Sequence, residues 1–570
     1  MPSPLFTPIC LRGVELRNRI VMPAMTTRLA TPEGFVTPPL LAYYLARARG
    51  GAGLITVEMA SPDPAGRHRA HELGISDERF VPGLQELTAQ LKATGARVAI
   101  QLGHAGGHTR PDVTGLPPVA PSAVPHEVHE GDTRTVLPCE LSKAEIQRLV
   151  EAFAAAAARA KRAGFDVVEL HGAHGYLIAQ FLSPLDNQRR DEYGGSLRHR
   201  ARFALEVVAA CRQQVGDFPL VFRLSADEYA PGGLTPAEAV EVCRWLQEAG
   251  VDALHVSAGC YRSQPSAAVM IPPMAYPEGV FLPLARAVKA AVRVPVIAVG
   301  RLHDPALAER VVAEGQADLV ALGRQLIADP EWPRKVQEGR RDEIRPCIAC
   351  NTCVDHMRDG HPLSCLVNPW VGQEGREVLK PVARPRRVLV VGGGPAGMEA
   401  ARLLALRGHR VALYEQRPQL GGQLLLAAKA PLFQNVETRA EVLLRFVAFL
   451  ARQLERAGVE VHLGQRVTPP QVARLQPEVV VLATGATYRL PFLWLPWLLS
   501  CGWGRGRRWQ RLLRQPWVKR LLFEVVRKPV AHLARPLRAA GLEVVCIGDC
   551  LRPGKTPEAM AAAAALADRL

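Results

Sequence analysis

Eight short β-branched or apolar runs punctuate the first 340 residues: Ile20–Pro23, Leu54–Glu58, Val98–Gln101, Val167–His171, Leu220–Leu224, Ala253–Val256, Val296–Val299 and Leu319–Ala321. A loop follows each run, and amphipathic stretches follow most of them: Lys143–Ala163, Ala201–Val215, Pro236–Ala249 and Pro305–Glu314. Eight alternating strand and helix units predict an α/β chain whose first part closes into a parallel (β/α)8 barrel, a TIM barrel. In such a barrel the chemistry sits in the loops that leave the C-terminal ends of the strands.

The remaining 230 of the 570 residues add two further features. Four cysteines cluster between Cys347 and Cys365, and a Pro/Arg linker (Lys380–Arg387) then leads to a fresh strand at Val388–Val391. The expected organisation is a barrel over 1–340, a cysteine segment and linker over 341–385, a Rossmann-like nucleotide domain over 386–490 and 541–570, and an insertion at 491–540. Twelve cysteines are too sparse for a disulfide scaffold in a chain of this length. The start, MPSPLFTPIC, lacks the basic and apolar pattern of a signal peptide, and the longest apolar run is short and contains prolines. A reduced, cytoplasmic setting is expected. The chain carries +16, but eleven Lys/Arg against the single acid Glu524 between Leu493 and Arg538 supply +10 of it.

The fourth run ends in His171-Gly-Ala-His174-Gly-Tyr176, so two imidazoles and a phenol leave one strand end. Such a group can bind a carbonyl oxygen and deliver a proton; read alone, a hydrogen-bonded core histidine and a packed tyrosine are the alternative. Several further motifs follow in order at strand ends: Arg19-Ile-Val-Met22-Pro-Ala-Met25-Thr26, Gln101-Leu-Gly-His104-Ala-Gly, Asp191-Glu-Tyr-Gly-Gly-Ser196, Phe222-Arg223-Leu-Ser, Val299-Gly300-Arg301 and Ala321-Leu-Gly323-Arg324. Together they resemble the Old Yellow Enzyme family of FMN barrels over essentially all of 1–340.

The resemblance implies FMN held by Met25, Thr26, Gln101 and Arg223, with its phosphate at Gly300, Arg301, Gly323 and Arg324. It sets Thr26 at flavin O4 and Arg223 near N1/O2, where a cation stabilises the reduced flavin. It also implies His171 and His174 on the substrate carbonyl and Tyr176 as proton donor at the α-carbon. Two departures stand out. Gly107 follows Gly106 where the family often has Arg, and no cysteine lies between Ile20 and Ala30 for a covalent flavin link. His255 and Tyr261 fall after the sixth strand, where some relatives place a second acid.

The cysteines Cys347, Cys350, Cys353 and Cys365 read C-x2-C-x2-C-x11-C. Three in close succession and one from a distance suit a 4Fe–4S cubane; structural zinc more often uses two separated C-x2-C pairs. The flanks Arg345-Pro-Cys347 and Ser364-Cys365-Leu-Val-Asn368-Pro resemble the iron–sulfur members of the same family, 2,4-dienoyl-CoA reductase, 2-enoate reductase and trimethylamine dehydrogenase.

The strand Val388–Val391 runs into Gly392-Gly-Gly394-Pro-Ala-Gly397 and a helix, and Glu415 ends the next strand twenty-three residues after Gly392. This is a dinucleotide site in its proper context: the glycines permit the turn and the approach of pyrophosphate, and the acid accepts ribose hydroxyls. Leu420-Gly-Gly-Gln423, Ala483-Thr-Gly485 and Ile547-Gly-Asp549 resemble the other motifs of two-dinucleotide-binding flavoproteins. That implies FAD, with Asp549 on a ribityl or phosphate-side hydroxyl; ADP alone is the alternative. Those relatives insert a second glycine-rich unit for NAD(P)H. Here the interval from Ala486 to about Gly541 has no strand, GxGxxG and helix in sequence, and Gly502-Trp-Gly504 follows no strand. A shortened or missing NAD(P)H unit leaves the electron donor open.

In its place stand basic amphipathic stretches with five of the eight tryptophans. They suit a helical cap on the FAD domain, an anionic membrane surface touched peripherally, or an acidic electron-transfer protein; no nucleic-acid-binding fold accompanies them. The resemblance implies an iron–sulfur flavoprotein that passes electrons between FAD, 4Fe–4S and FMN. It would reduce, or in reverse form, the C=C bond of an α,β-unsaturated carbonyl or enoyl thioester. An amine dehydrogenase serving an electron-transfer flavoprotein and a membrane-docked electron carrier without enone chemistry are the alternatives. A homo-oligomer is compatible with the sequence.

Overall fold

The computed structural model describes residues 3–376, 379–433, 436–488, 515 and 527–570. It divides into two compact units, one of Met1–Arg341, Cys353–Ser364 and Val371–Gly375, the other of Asp342–Thr352, Cys365–Trp370 and Arg376–Leu570.

In the first unit eight strands close a barrel in sequential order. They are β1 (Ile20–Met22), β2 (Leu54–Ala60), β3 (Arg97–Leu102), β4 (Val167–Gly172), β5 (Leu220–Ser225), β6 (Ala253–Ser257), β7 (Val296–Ala298) and β8 (Leu319–Ala321). All eight adjacent pairs are parallel. Almost every strand residue is buried, because one face meets the barrel interior and the other the surrounding helices; this is why the strands read as unbroken apolar runs.

Helix starts follow local capping chemistry. Ser142 and Glu145 form a capping box before Lys143–Arg162, and Thr235 and Glu238 form another before Pro236–Glu248. The helix expected from Ala201 begins at Leu197, capped by Ser196. Its charged first turn hid it, and the reason for that turn is tertiary: Arg200 is buried and paired with Glu238 at 2.7 Å. The long third loop carries a hairpin, His126–Glu130 against Asp132–Val136.

The barrel interior is layered. An apolar layer includes Val21, Leu54, Ala99, Val167, Val221, Ala253, Ile297 and Leu319. Two residues further along β3, β4, β5 and β6 come Gln101, Glu169, Arg223 and His255, all buried and polar. This change from apolar to polar within a strand's length marks the functional end of the barrel.

The second unit holds a five-stranded parallel sheet formed by β9 (Arg387–Val391), β10 (Arg410–Tyr414), β11 (Glu460–His462), β12 (Val479–Leu482) and β13 (Glu543–Cys546). The spatial order is β11-β10-β9-β12-β13. The chain winds outward one way from β9 and then crosses to its other side, so the switch point lies between β9 and β12, where open α/β sheets bind nucleotides.

Most of the insertion expected at 491–540 lies outside the described residues. The part that is described belongs to the nucleotide unit: Leu533, Ala534 and Leu537 join its core, and Arg527–Pro529 pairs with Ala486–Tyr488. Among the described residues no helix is long and apolar enough to cross a membrane.

Candidate active site and nucleotide site

The polar layer builds the floor of the barrel site. Gln101 Nε2 donates to Glu169 Oε1 at 2.7 Å, and His255 Nδ1 lies 2.8 Å from Glu169 Oε2. Arg223 is 8% exposed, yet its Nε has no partner. Burial lowers its guanidinium from the usual arginine range, with Glu169 opposing. A buried cation with an unused donor needs an electron-rich partner. The pyrimidine edge of a flavin is such a group, and the residues present fit it.

Glycines shape the ends of β7 and β8. A Cβ on Gly300 would lie 2.7 Å from the Phe281 ring, and its φ of +113° is open only to glycine. A Cβ on Gly323 would meet Met25 Sδ at 3.1 Å, which places Met25 beside the end of β8. Arg301 and Arg324 both gather the loop after β6: Arg301 donates to Met274 O at 2.9 Å and Arg324 to Pro272 O at 2.6 Å. Thr26 is half-buried at the end of β1. The next residue, Thr27, donates its N–H to Glu58 Oε2 at 2.8 Å. Burial pushes the Glu58 carboxyl up to about 8.

At the mouth, His171, His174 and Tyr176 come together. The His171 ring lies 5.2 Å from His174 and 4.7 Å from Tyr176, edge to face. Burial, reinforced by the Arg223 charge, holds both histidines well below the usual imidazole range, so both are neutral. Ala173 N–H donates to His171 Nδ1 at 3.3 Å, which leaves the ring proton on Nε2 as a donor. His174 stands at a left-handed φ of 63°, its N–H on Ser225 Oγ and its Nε2 2.7 Å from Ser257 Oγ.

Of the two residues expected after the sixth strand, His255 lies within β6, and the structure brings only Tyr261 to Tyr176, with ring centroids 6.0 Å apart. His255 stays with Glu169 inside the barrel. Burial and Tyr261 raise the Tyr176 phenol well above its usual value. Burial acts the same way on Tyr261, but Arg358 and Arg69 outweigh it and hold that phenol below its ordinary range. The guanidinium of Arg358 sits 5.5 Å from the Tyr261 ring.

Sequence reasoning missed a further member: His68, in the loop after β2, has Nδ1 2.8 Å from the Tyr176 hydroxyl. The Gly107 departure has a steric basis, since a Cβ there would fall 2.3 Å from the His126 ring of the third-loop hairpin.

In the second unit the nucleotide motifs converge at the switch point. A Cβ on Gly392 would lie 2.4 Å from Ala483 O, and one on Gly397 only 1.9 Å from Gly392 O. Glu415 braces the turn by taking Gly393 N–H at 2.7 Å and Arg417 N–H at 2.8 Å. Gly394 approaches Gly422, while Gln423 Nε2 reaches Ala486 O at 3.0 Å beside Gly485. Asp549 accepts Gly554 N–H at 2.9 Å and pairs with Arg527. Arg527, one of the eleven cations of the basic stretch, is 5% exposed and faces Gln423 as well. The glycine cradle and the ring of acid, amide and guanidinium around it fit a dinucleotide.

The cysteine segment is tied to this unit by a buried ion triad. Glu399, 0% exposed, accepts from Arg345 at 3.0 Å and from Arg402 at 2.9 and 2.8 Å. Arg345 also donates to Val367 O, so it bridges the chain just before Cys347 and just after Cys365. Burial first, and then the nearby Cys347 and Cys350, push the Cys365 thiol up to about 12. Closely placed buried sulfurs are stable as thiolates only beside a compensating cation, so the donor chemistry fits a metal cluster. Among the described residues, no group of three or more His, Cys, Asp or Glu stands in metal-binding geometry.

The profile of the NADH:flavin oxidoreductase / NADH oxidase family matches residues 4–343, and that of pyridine nucleotide-disulphide oxidoreductases matches residues 386–496. An NADH oxidase of Thermoanaerobacter brockii is 45% identical over 488 residues, covering 85% of this chain and 73% of that protein. The solved structure of a 2-naphthoyl-CoA reductase with 2-naphthoyl-CoA superposes with a TM-score of 0.89 at 26% identity, over 100% of this chain and 99% of that one. A histamine dehydrogenase from Rhizobium sp. 4-9 superposes with a TM-score of 0.84 at 26% identity, over 100% and 96%.

Proposed function

Because the chain belongs to the NADH:flavin oxidoreductase / NADH oxidase family, we propose that this flavin oxidoreductase reduces the C=C bond of an α,β-unsaturated carbonyl compound or enoyl thioester. The convergence of two neutral imidazoles and one phenol at the barrel mouth carries this reading. The similarity to a 2-naphthoyl-CoA reductase supports a thioester among the substrates.

FMN bound at Thr26, Gln101, Arg223 and the strand-end glycines supplies the hydride. His171 Nε2–H donates to the substrate carbonyl oxygen, His174 supplies the second donor, and together they draw electron density from the alkene. Being neutral, they bind the carbonyl without surrendering a proton to it. Tyr176, too weak an acid to ionise beforehand, keeps its proton until the α-carbon becomes basic.

FAD, or ADP in its place, belongs at Gly392, Gly394, Gly397, Glu415, Gln423, Gly485 and Asp549. A 4Fe–4S cluster belongs on Cys347, Cys350, Cys353 and Cys365, where it supplies one-electron transfer between flavins. The domain division follows from this: FMN barrel over 1–340, cluster segment over 341–385, nucleotide domain over 386–490 and 541–570, joined by 527–540 from the insertion. Protein purified without air should carry iron and acid-labile sulfide in about equal amounts. Cys350→Ala should lose most of both and keep its yellow flavin absorbance. Full iron content in that variant would remove Cys350 from the ligand set.

Anaerobic reduction by NADH, then by NADPH, followed by a panel of enones and enoyl thioesters tests the reaction. Reoxidation of the flavin by an enone is the expected result. Similarity to a histamine dehydrogenase over the whole chain favours amine oxidation as the second reading. Bleaching of the oxidised flavin by an amine, with no enone active, would establish that reading instead.

A further inference from the structure

The loop after β2 places a histidine that the site's motifs do not account for. His68 is 6% exposed, its Nδ1 is 2.8 Å from the Tyr176 hydroxyl, and the two rings meet edge to face at 5.1 Å. The loop is built to hold it there. Glu72, 2% exposed, takes the backbone N–H groups of both His68 and Arg69 on its Oε2, at 2.7 and 3.0 Å. One carboxylate oxygen thus fixes the turn that aims the imidazole. Burial, followed by the charge of Arg69, holds His68 well below the usual imidazole range, so the ring is neutral and carries one proton.

We infer that His68 is a positioning residue for Tyr176, donating its Nδ1–H to the phenol oxygen so that the phenol's own proton faces the substrate and the phenolate left after proton transfer is stabilised. This rests on the ene-reductase reading of the site. The Tyr176 O–H bond breaks, the α-C–H bond forms, and the phenolate oxygen keeps the electron pair. His68 stays neutral throughout, and a proton from water restores the phenol. On the other side of Tyr176, the Tyr261 ring stands with its centroid 6.0 Å away and the Arg358 guanidinium over it at 5.5 Å. The nascent phenolate therefore has the His68 imidazole as its donor, with Tyr176 only 8% exposed. A hydrogen bond to a charged group is stronger than one to a neutral group, so His68 acts more strongly on the transition state than on the resting phenol.

Two polar variants separate this role from simple packing. The amide Nδ2 of His68→Asn stands close to where Nδ1 stood, whereas His68→Gln places its amide nearer the Nε2 position and loses the donor to the phenol. The readout is the ratio of enone to quinone turnover, because a reduced quinone takes its protons on oxygen and needs no acid at carbon. The ratio should fall about tenfold in His68→Gln and recover most of that loss in His68→Asn. Combined with Tyr176→Phe, His68→Gln should add little further loss, since it acts through the phenol.

Equal ratios in the Asn and Gln variants, or a double variant showing the product of the two losses, would overturn the inference. Loss of flavin or of fold lowers both turnovers and leaves the ratio unmoved, so it cannot mimic the expected result. Wild-type protein that reduces no enone at all would sink the ene-reductase reading and this inference with it. Enone turnover with indifferent His68 variants would sink the inference alone.

Discussion

Tyr176→Phe should lower enone reduction by about 10²–10⁴-fold, the usual worth of a positioned general acid, while the protein keeps its flavin and the flavin still accepts electrons. The expectation follows from where the hydroxyl stands. Its partner is the His68 imidazole at 2.8 Å, and the ring is packed edge to face against His171, His68 and Tyr261. Phenylalanine preserves these ring contacts and removes only the proton donor. The loss should therefore appear in the rate of flavin reoxidation by the enone, with much less change in substrate affinity, because His171 and His174 still bind the carbonyl. Stopped-flow reoxidation of anaerobically reduced enzyme measures it directly. Unchanged reoxidation would remove Tyr176 from the chemistry and leave the histidines as a binding site only.

Glu399→Ala should cost about 3–5 kcal/mol of stability, the range for breaking a buried ion network by removing one partner. Arg345 and Arg402, 8% and 9% exposed, would keep their charges with no carboxylate between them. The same triad makes a pH signature. Burial opposes ionisation of Glu399, but Arg345 and Arg402 outweigh it and hold the carboxyl down at about 2. A carboxyl depressed in the folded state from the ordinary 4.5 contributes stability in full above that value. The contribution is lost as pH falls from about 4.5 towards 2. Chemical unfolding of wild type should steepen in that window, and Glu399→Gln should lack this part of the slope. Because Arg345 also bonds Val367 O, beyond Cys365, the alanine variant should retain less iron. A variant as stable as wild type across that range would show that the triad is dispensable.

The parts of this molecule legible in its sequence are those where chain neighbours share one physical task. A barrel strand buried on both faces must be apolar along its length, so runs such as Val167–His171 and Leu319–Ala321 announce themselves. The nucleotide turn is equally local. Gly392 and Gly397 are required because a Cβ would strike Ala483 O or Gly392 O, atoms that any strand, turn and helix of this type places there. The triplet His171, His174 and Tyr176 leaves a single strand end, which is why one stretch of sequence names all three.

Residues recruited from separate loops carried no such signal. His68 stands in an irregular loop 108 positions from Tyr176, and Glu399 reads as one more charge on a helix. Arg527 reads as part of a solvated basic run, yet it is buried against Asp549. In each case the partner is supplied by a different element. The order of the barrel strands, the glycine turns and the candidates for the reacting side chains were thus legible in the sequence alone, because backbone sterics and apolar burial act between near neighbours. Which histidine supports the phenol, which arginine closes the nucleotide site and which carboxylate anchors the cysteine segment were decided only by the tertiary structure. Desolvated polar groups must find partners wherever the fold brings them, and distance along the chain does not constrain that choice.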